Sequence, residues 1–233
     1  DSYFFYMRFL IFFFFFFLWQ ILIAQETYIP TKINENEVTL DGLLSEKIWK
    51  DATKIPLDIE FSPANNLQAN KKTTAYISYS DTFLFIAVHA EDDPKNIRAS
   101  IRPRDDFNIW NDDLILVRLD PFADARNNLA IAVNALGSQF DLKQVNALSD
   151  EDRYDSTFNM NFESKAAIID NGYTVEIKIP FSEIPFPNGT DQEWHINFYR
   201  RYFENGNEIE VSSQPRDRNN SCIVCQTSDN LIL

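Results

Sequence analysis

Apolar and polar positions alternate with period two along much of the chain after residue 70, the pattern of strands that bury one face. Residues 74–79 and 83–89 are β-rich runs joined by Ser80-Asp81-Thr82, which predicts a hairpin. Residues 114–119 predict a further strand. Residues 128–134 and 138–142 predict a second hairpin with Leu136-Gly137 at its turn. Residues 161–169 and 173–179 predict a third across Asp170-Asn171-Gly172, because Asn and Gly tolerate positive φ. Residues 194–202 and 208–212 predict a fourth across Glu204-Asn205-Gly206-Asn207. Helical pattern is sparse. Residues 45–52 predict one short helix, with Leu44, Ile48 and Ala52 on one face and Trp49 beside them. Ser182-Glu183-Ile184 reads as a single turn stopped by Pro185. Many short strands with regular turns predict an all-β fold: an antiparallel β-sandwich of jelly-roll or immunoglobulin-like architecture, with one or two short helices.

The first two dozen residues break this pattern. Residues 9–23 are almost wholly apolar, with six phenylalanines in a row at 12–17, after Met7-Arg8 and before Ala24-Gln25. A short basic start, an apolar stretch and a small exit residue predict a secretory signal peptide over 1–24, and residues 1–6 precede Met7, the candidate initiator. A retained membrane anchor is the competing reading. The sandwich is expected over 25–215, followed by a C-terminal linker at 216–233. The protein is therefore expected to be exported: periplasmic, associated with an outer membrane, or extracellular.

Charge and composition narrow the function. The 233 residues carry a formal net charge of -14. An acidic surface repels phosphate backbones, which sets nucleic acid aside as a partner. Only 5 glycines are present, and no segment forms a P-loop or a dinucleotide fingerprint. In an exported protein, Cys222-x-x-Cys225 can close a small disulfide ring. A zinc site would need two further ligands, and both histidines, His89 and His195, sit inside apolar strand-like runs.

The chemistry concentrates where Trp110, Asp112 and Asp113 precede the apolar run 114–119. An indole can stack on the C–H face of a sugar while carboxylates accept from its hydroxyls. The same acids can instead organise a calcium loop. Arg102, Arg104, Asp105 and Asp106 stand just before. Their guanidiniums either reach vicinal hydroxyls or pair with the neighbouring acids to order the loop. Residues 150–155 are expected to form an exposed acidic loop, with Tyr154 and Phe158 bordering a cleft. Arg200 and Arg201 alternate on one strand, so one of them is expected to pair with a carboxylate at the edge of the core. No cluster matches a hydrolase motif and no Ser-His-Asp or Cys-His arrangement is evident, so binding is expected rather than catalysis.

Several phrases taken in order resemble family 9 carbohydrate-binding modules. Val38-Thr39-Leu40-Asp41-Gly42-Leu43-Leu44-Ser45-Glu46-Lys47-Ile48-Trp49 resembles that family's opening. Residues 75–88 resemble its first hairpin, Glu91-Asp92-Asp93-Pro94 its acidic turn, residues 173–181 a late strand, and residues 194–201 the closing strand. The resemblance covers roughly 35–212. A closer variant, the module that precedes outer-membrane β-barrels in Gram-negative exported proteins, is similar at 104–106, 120–122, 133–141 and 218–222. The resemblance implies non-catalytic carbohydrate binding in support of polysaccharide (xylan or β-glucan) catabolism. Trp110 would stack, and Asp112, Asp113, Arg104, Asp106 and Tyr154 would complete the site. It implies structural Ca2+ held by Asp41, Glu91, Asp92 and Asp93. Sugar-binding members carry a carboxylate shortly after the Trp, where this chain has Leu116. The alternative is an accessory domain that contacts an outer-membrane β-barrel, in cis or in trans, and binds protein rather than glycan.

Overall fold

The computed structural model describes residues 25–146, 153–220, 222 and 224–233. The expected signal peptide at 1–24 and the acidic residues 150–152 lie outside them. Two sheets pack face to face. The larger runs β11 (Tyr154–Asp155), β10 (Gln139–Val145), β9 (Asn127–Asn134), β8 (Leu114–Asp120), β14 (Glu193–Glu204), β15 (Asn207–Ser212), β4 (Ile59–Ser62) and β5 (Leu67–Gln68). On its flank β16 (Asp229–Ile232) pairs with β14 and with β1 (Thr27–Tyr28). The smaller runs β12 (Glu163–Ile169), β13 (Gly172–Pro180), β7 (Phe83–Glu91), β6 (Thr73–Tyr79) and β2 (Thr31–Lys32), with β3 (Thr53–Pro56) also on β6. Pairing is antiparallel except for β1 with β16 and β2 with β6. The all-β sandwich expected from the alternation is present, and all four expected hairpins form.

Strand β8 shows why the run Leu114-Ile115-Leu116-Val117-Arg118-Leu119 is so apolar. Its odd residues Ile115, Val117 and Leu119 enter the core between the sheets. Its even residues Leu114 and Leu116 join a second, smaller apolar cluster with Phe61, Ala130, Phe140 and Tyr199. The large sheet is thus covered on both faces near its centre, and only the second face leaves room for polar groups.

The opening motif has a structural job. The backbone N–H groups of Asp41 and Gly42 donate to one oxygen of Glu176, at 3.0 and 2.8 Å. The indole Nε1 of Trp49 donates to the other oxygen at 3.0 Å. Trp49 lies on the short α-helix Lys47–Asp51 and packs with Ile48, Ala52, Phe85 and Ala87 on the outer face of the smaller sheet. Gly42 has φ +89°, and a Cβ there would meet the Ala166 carbonyl carbon at 2.8 Å, so the turn requires glycine.

The tail at 216–233, expected as a linker, ends in a strand that joins the sandwich. Residues 229–232 pair with β14, and Leu231 is fully buried in the main core. Four residues are too short to display a period, which is why the alternation did not reveal the strand. Cys222 and Cys225 are joined by a disulfide.

Candidate functional site

The second face of the large sheet carries a hollow in two joined lobes of about 250 and 300 Å³. Both lobes are lined by Trp110, Leu116, Arg118, Tyr154 and Arg201. Cross-strand register explains the gathering. Leu116 faces Tyr199, Arg118 faces Asn197 and Leu114 faces Arg201 across β8 and β14. Arg201 in turn faces Glu210 on β15, and Gln144 on β10 faces Tyr154 on β11. Side chains on alternate positions share a face, so these rows align their polar ends on one surface.

Trp110 sits on a 3-10 turn, Phe107–Asn111, that precedes β8. Asp106 caps this turn, its side chain accepting from the Asn108 N–H at 2.9 Å. The half-buried indole rests edge-on against Phe140, centroids 5.6 Å apart. Arg201 fixes the turn from the other side: its Nη1 donates to the Trp110 carbonyl at 3.0 Å, and its guanidinium lies 5.5 Å from the indole centroid. Arg201 Nη2 also donates to Glu210 at 2.8 Å, and the Tyr199 hydroxyl donates to the same carboxylate. Tyr154 is 46% exposed, so its ring is open to a ligand. The hollow therefore offers aromatic surface from Trp110, Tyr154 and Tyr199 beside donors and acceptors from Arg118, Asn197, Arg201, Glu210 and Gln144.

Of the six residues the resemblance implied for the site, the structure brings Trp110 and Tyr154 together in the hollow. The other four do not line it. Asp112 and Asp113 are 1% and 0% exposed, too deep to read hydroxyls. Asp112 accepts from Arg102 Nε and Nη2 at 2.7 and 2.8 Å and from Asn134 Nδ2 at 2.8 Å, tying the Trp110 turn to the β9–β10 hairpin. Arg104 donates to Asp141 at 2.5 Å and to Gln139 at 3.0 Å. Asp106 is the cap. Arg–Asp pairing orders the loop, the second of the two roles open to these residues. Phe158 packs against the main core instead of the hollow. Sequence reading missed Arg118, Asn197, Tyr199, Glu210 and Arg216 as site residues. The alternation of Asn197, Tyr199 and Arg201 placed them on one face, but which face lay open depended on register with β8.

Each of the four residues that the resemblance implied as calcium ligands has a partner of its own. Asp92 accepts from Lys71 at 2.7 and 2.9 Å and from the buried Arg200 at 2.8 Å, so two cations already neutralise it. Arg200 is thus the strand arginine that meets a carboxylate at the edge of the core. The Asp41 side chain accepts from the Leu43 N–H at 2.8 Å, and that of Asp93 from the Lys95 N–H at 3.0 Å. Glu91 lies 3.9 Å from Lys72. Among the described residues, no group of three or more His, Cys, Asp or Glu could hold a metal.

Burial pushes the Asp113 carboxyl from 3.8 up to about 7, against the pull of Arg200. Between about pH 4 and 7 the folded protein keeps a proton that the unfolded chain has released. Stability from this group therefore falls as pH rises through that window, by at most about 1.4 kcal/mol per pH unit. An Asp113→Asn variant should show a flatter fall in Tm from pH 4 to 8 than the parent. Parallel curves would contradict this assignment.

Glu210 is the carboxylate among the described residues lining the hollow, and Arg201 and Tyr199 occupy it. The arrangement suits holding a ring-shaped polar ligand.

The chain matches the family model described as carbohydrate family 9 binding domain-like over residues 40–213. No curated protein matches it. A Bacteroides uniformis crystal structure is similar, with TM-score 0.68 and 12% identity, covering 90% of this chain and 99% of that one. A family 9 carbohydrate-binding module from Caldicellulosiruptor kristjanssonii in complex with cellotriose is similar with TM-score 0.59 and 16% identity, covering 88% and 92%. Such a module from the same organism in complex with glucose gives TM-score 0.60 and 15% identity, covering 88% and 94%. At these identities the neighbours speak to the fold alone, whereas the family match spans most of the sandwich, and the chain belongs to the carbohydrate family 9 binding domain-like family.

Proposed function

We propose that this protein binds carbohydrate without cleaving it, receiving a β-linked oligosaccharide in the hollow on the outer face of its large sheet. The observation that carries the reading is the convergence of Trp110, Tyr154 and Tyr199 with Arg118, Asn197, Arg201 and Glu210 around one open concavity. Aromatic faces take the C–H face of a pyranose, and the polar groups at the rim take its hydroxyls. The cellotriose and glucose complexes of family members support the same ligand class. Recognition of this kind would serve xylan or β-glucan breakdown by holding the polysaccharide. Calorimetric titration with cello- and xylo-oligosaccharides tests it. Heat that saturates at one ligand per chain is expected, and its absence for every oligosaccharide would overturn the reading.

A further inference from the structure

We propose that the hollow selects an acidic sugar, with Arg118 and Arg216 receiving the anionic group of a chain whose ring rests on the aromatic wall. The inference rests on the carbohydrate-binding reading above and narrows its ligand class. Its starting point is a local reversal of charge. The chain as a whole carries -14, yet the described charged residues lining one lobe are Arg118, Arg201, Arg216 and Glu210. Arg201 and Glu210 satisfy each other at 2.8 Å. Two guanidiniums are left over.

Neither has a carboxylate among the described residues. Arg118 Nη1 donates to the neutral amide oxygen of Asn197 at 3.2 Å, and its buried Nε meets no acceptor. Its guanidinium lies 5.8 Å from the Tyr199 ring centroid. Arg216 has its backbone N–H bonded to Asn66, its guanidinium 5.6 Å from the Phe61 ring centroid, and a buried Nε without an acceptor. Burial lowers the pKa of Arg118; Tyr199, Tyr154 and Glu210 act against that shift, and repulsion from Arg216 acts with it. Holding two such charges together is unfavourable unless an anion joins them. The remaining donors of a planar guanidinium fork match the paired oxygens of a carboxylate or a sulfate ester. A neutral hydroxyl supplies no compensating charge.

Calorimetry on the full chain decides between the alternatives. The probes are xylotriose, a xylo-oligosaccharide bearing a glucuronic acid side group, and a sulfated xylo-oligosaccharide. At low salt one acidic ligand should bind at least about tenfold more tightly than xylotriose, and the gap should narrow in about 0.5 M salt. The tighter of the two acidic probes identifies carboxylate or sulfate as the anion. Arg118→Gln and Arg216→Gln should each cut the acidic-to-neutral ratio below about threefold, about 0.65 kcal/mol. Circular dichroism confirms which variant is folded, and either one suffices. Equal affinity for neutral and acidic probes, or a ratio that survives in a folded variant, would overturn the inference and leave the carbohydrate reading standing. Failure of all three probes would overturn the inference, and failure of the cello-oligosaccharides as well would overturn both.

Discussion

Replacing Trp110 with alanine is expected to weaken oligosaccharide binding at least about thirtyfold, roughly 2 kcal/mol, while the fold persists. The indole is the largest aromatic face shared by both lobes of the hollow. It is also preset. Asp106 caps its turn, Phe140 meets it edge-on at 5.6 Å, and Arg201 holds its carbonyl at 3.0 Å. A side chain already ordered in the free protein loses little entropy on binding, so its contact area is returned as affinity. Its half-exposed position on a short 3-10 turn limits the cost of removal to the fold. Titration of the variant beside the parent, with Tm measured on both, gives the check. Unchanged affinity in a variant of unchanged Tm would place the ligand elsewhere.

The largest expected effect on stability comes from the opposite sheet. Glu176→Ala should destabilise the protein by about 3–5 kcal/mol, lowering Tm by roughly 10 °C. Glu176 accepts from two backbone N–H groups and from the Trp49 indole, all within 3.0 Å. Alanine would leave three donors without a partner in a buried setting, each costing about 1–3 kcal/mol. Burial also pushes the Glu176 carboxyl from 4.5 up to about 7. The folded state therefore holds a proton between about pH 4.5 and 7 that the unfolded chain has lost, and the stability contribution of the group declines as pH rises across that window. Thermal melts at pH 5 and pH 8 should show the variant's penalty shrinking at the higher pH, where the parent must bury a charge. A Tm within about 2 °C of the parent at both pH values would contradict the clasp.

Much of the scaffold was legible because antiparallel strands with one buried face write a period of two into the chain. The Asp170-Asn171-Gly172 turn and the Ser80–Thr82 connection marked hairpins that form where expected. The short flanking strands were not legible. Residues 53–56, 59–62 and 229–232 owe their conformation to partners distant in sequence, and four residues do not establish a pattern. The site divided along the same line. Trp110 and Tyr154 stood out as aromatics beside acids in loops, where function is common. Asp112 and Arg104 looked alike as candidates in sequence, but Asp112 is held by Arg102 and by Asn134 of β9, and Arg104 by Asp141 of β10. Arg118 was hidden inside an apolar run, since that run is buried on both faces and the one polar member marks the opening. For the acids around Asp92, sequence showed negative charge but not the Lys71 and Arg200 that answer it.

The most direct test is a crystal structure of the full chain grown with a xylo- or cello-oligosaccharide. A sugar ring is expected in the hollow, its C–H face on Trp110 or Tyr154 and a hydroxyl or acid group within hydrogen-bonding distance of Arg118. Sugar density on another surface, with the hollow holding water alone, would contradict it.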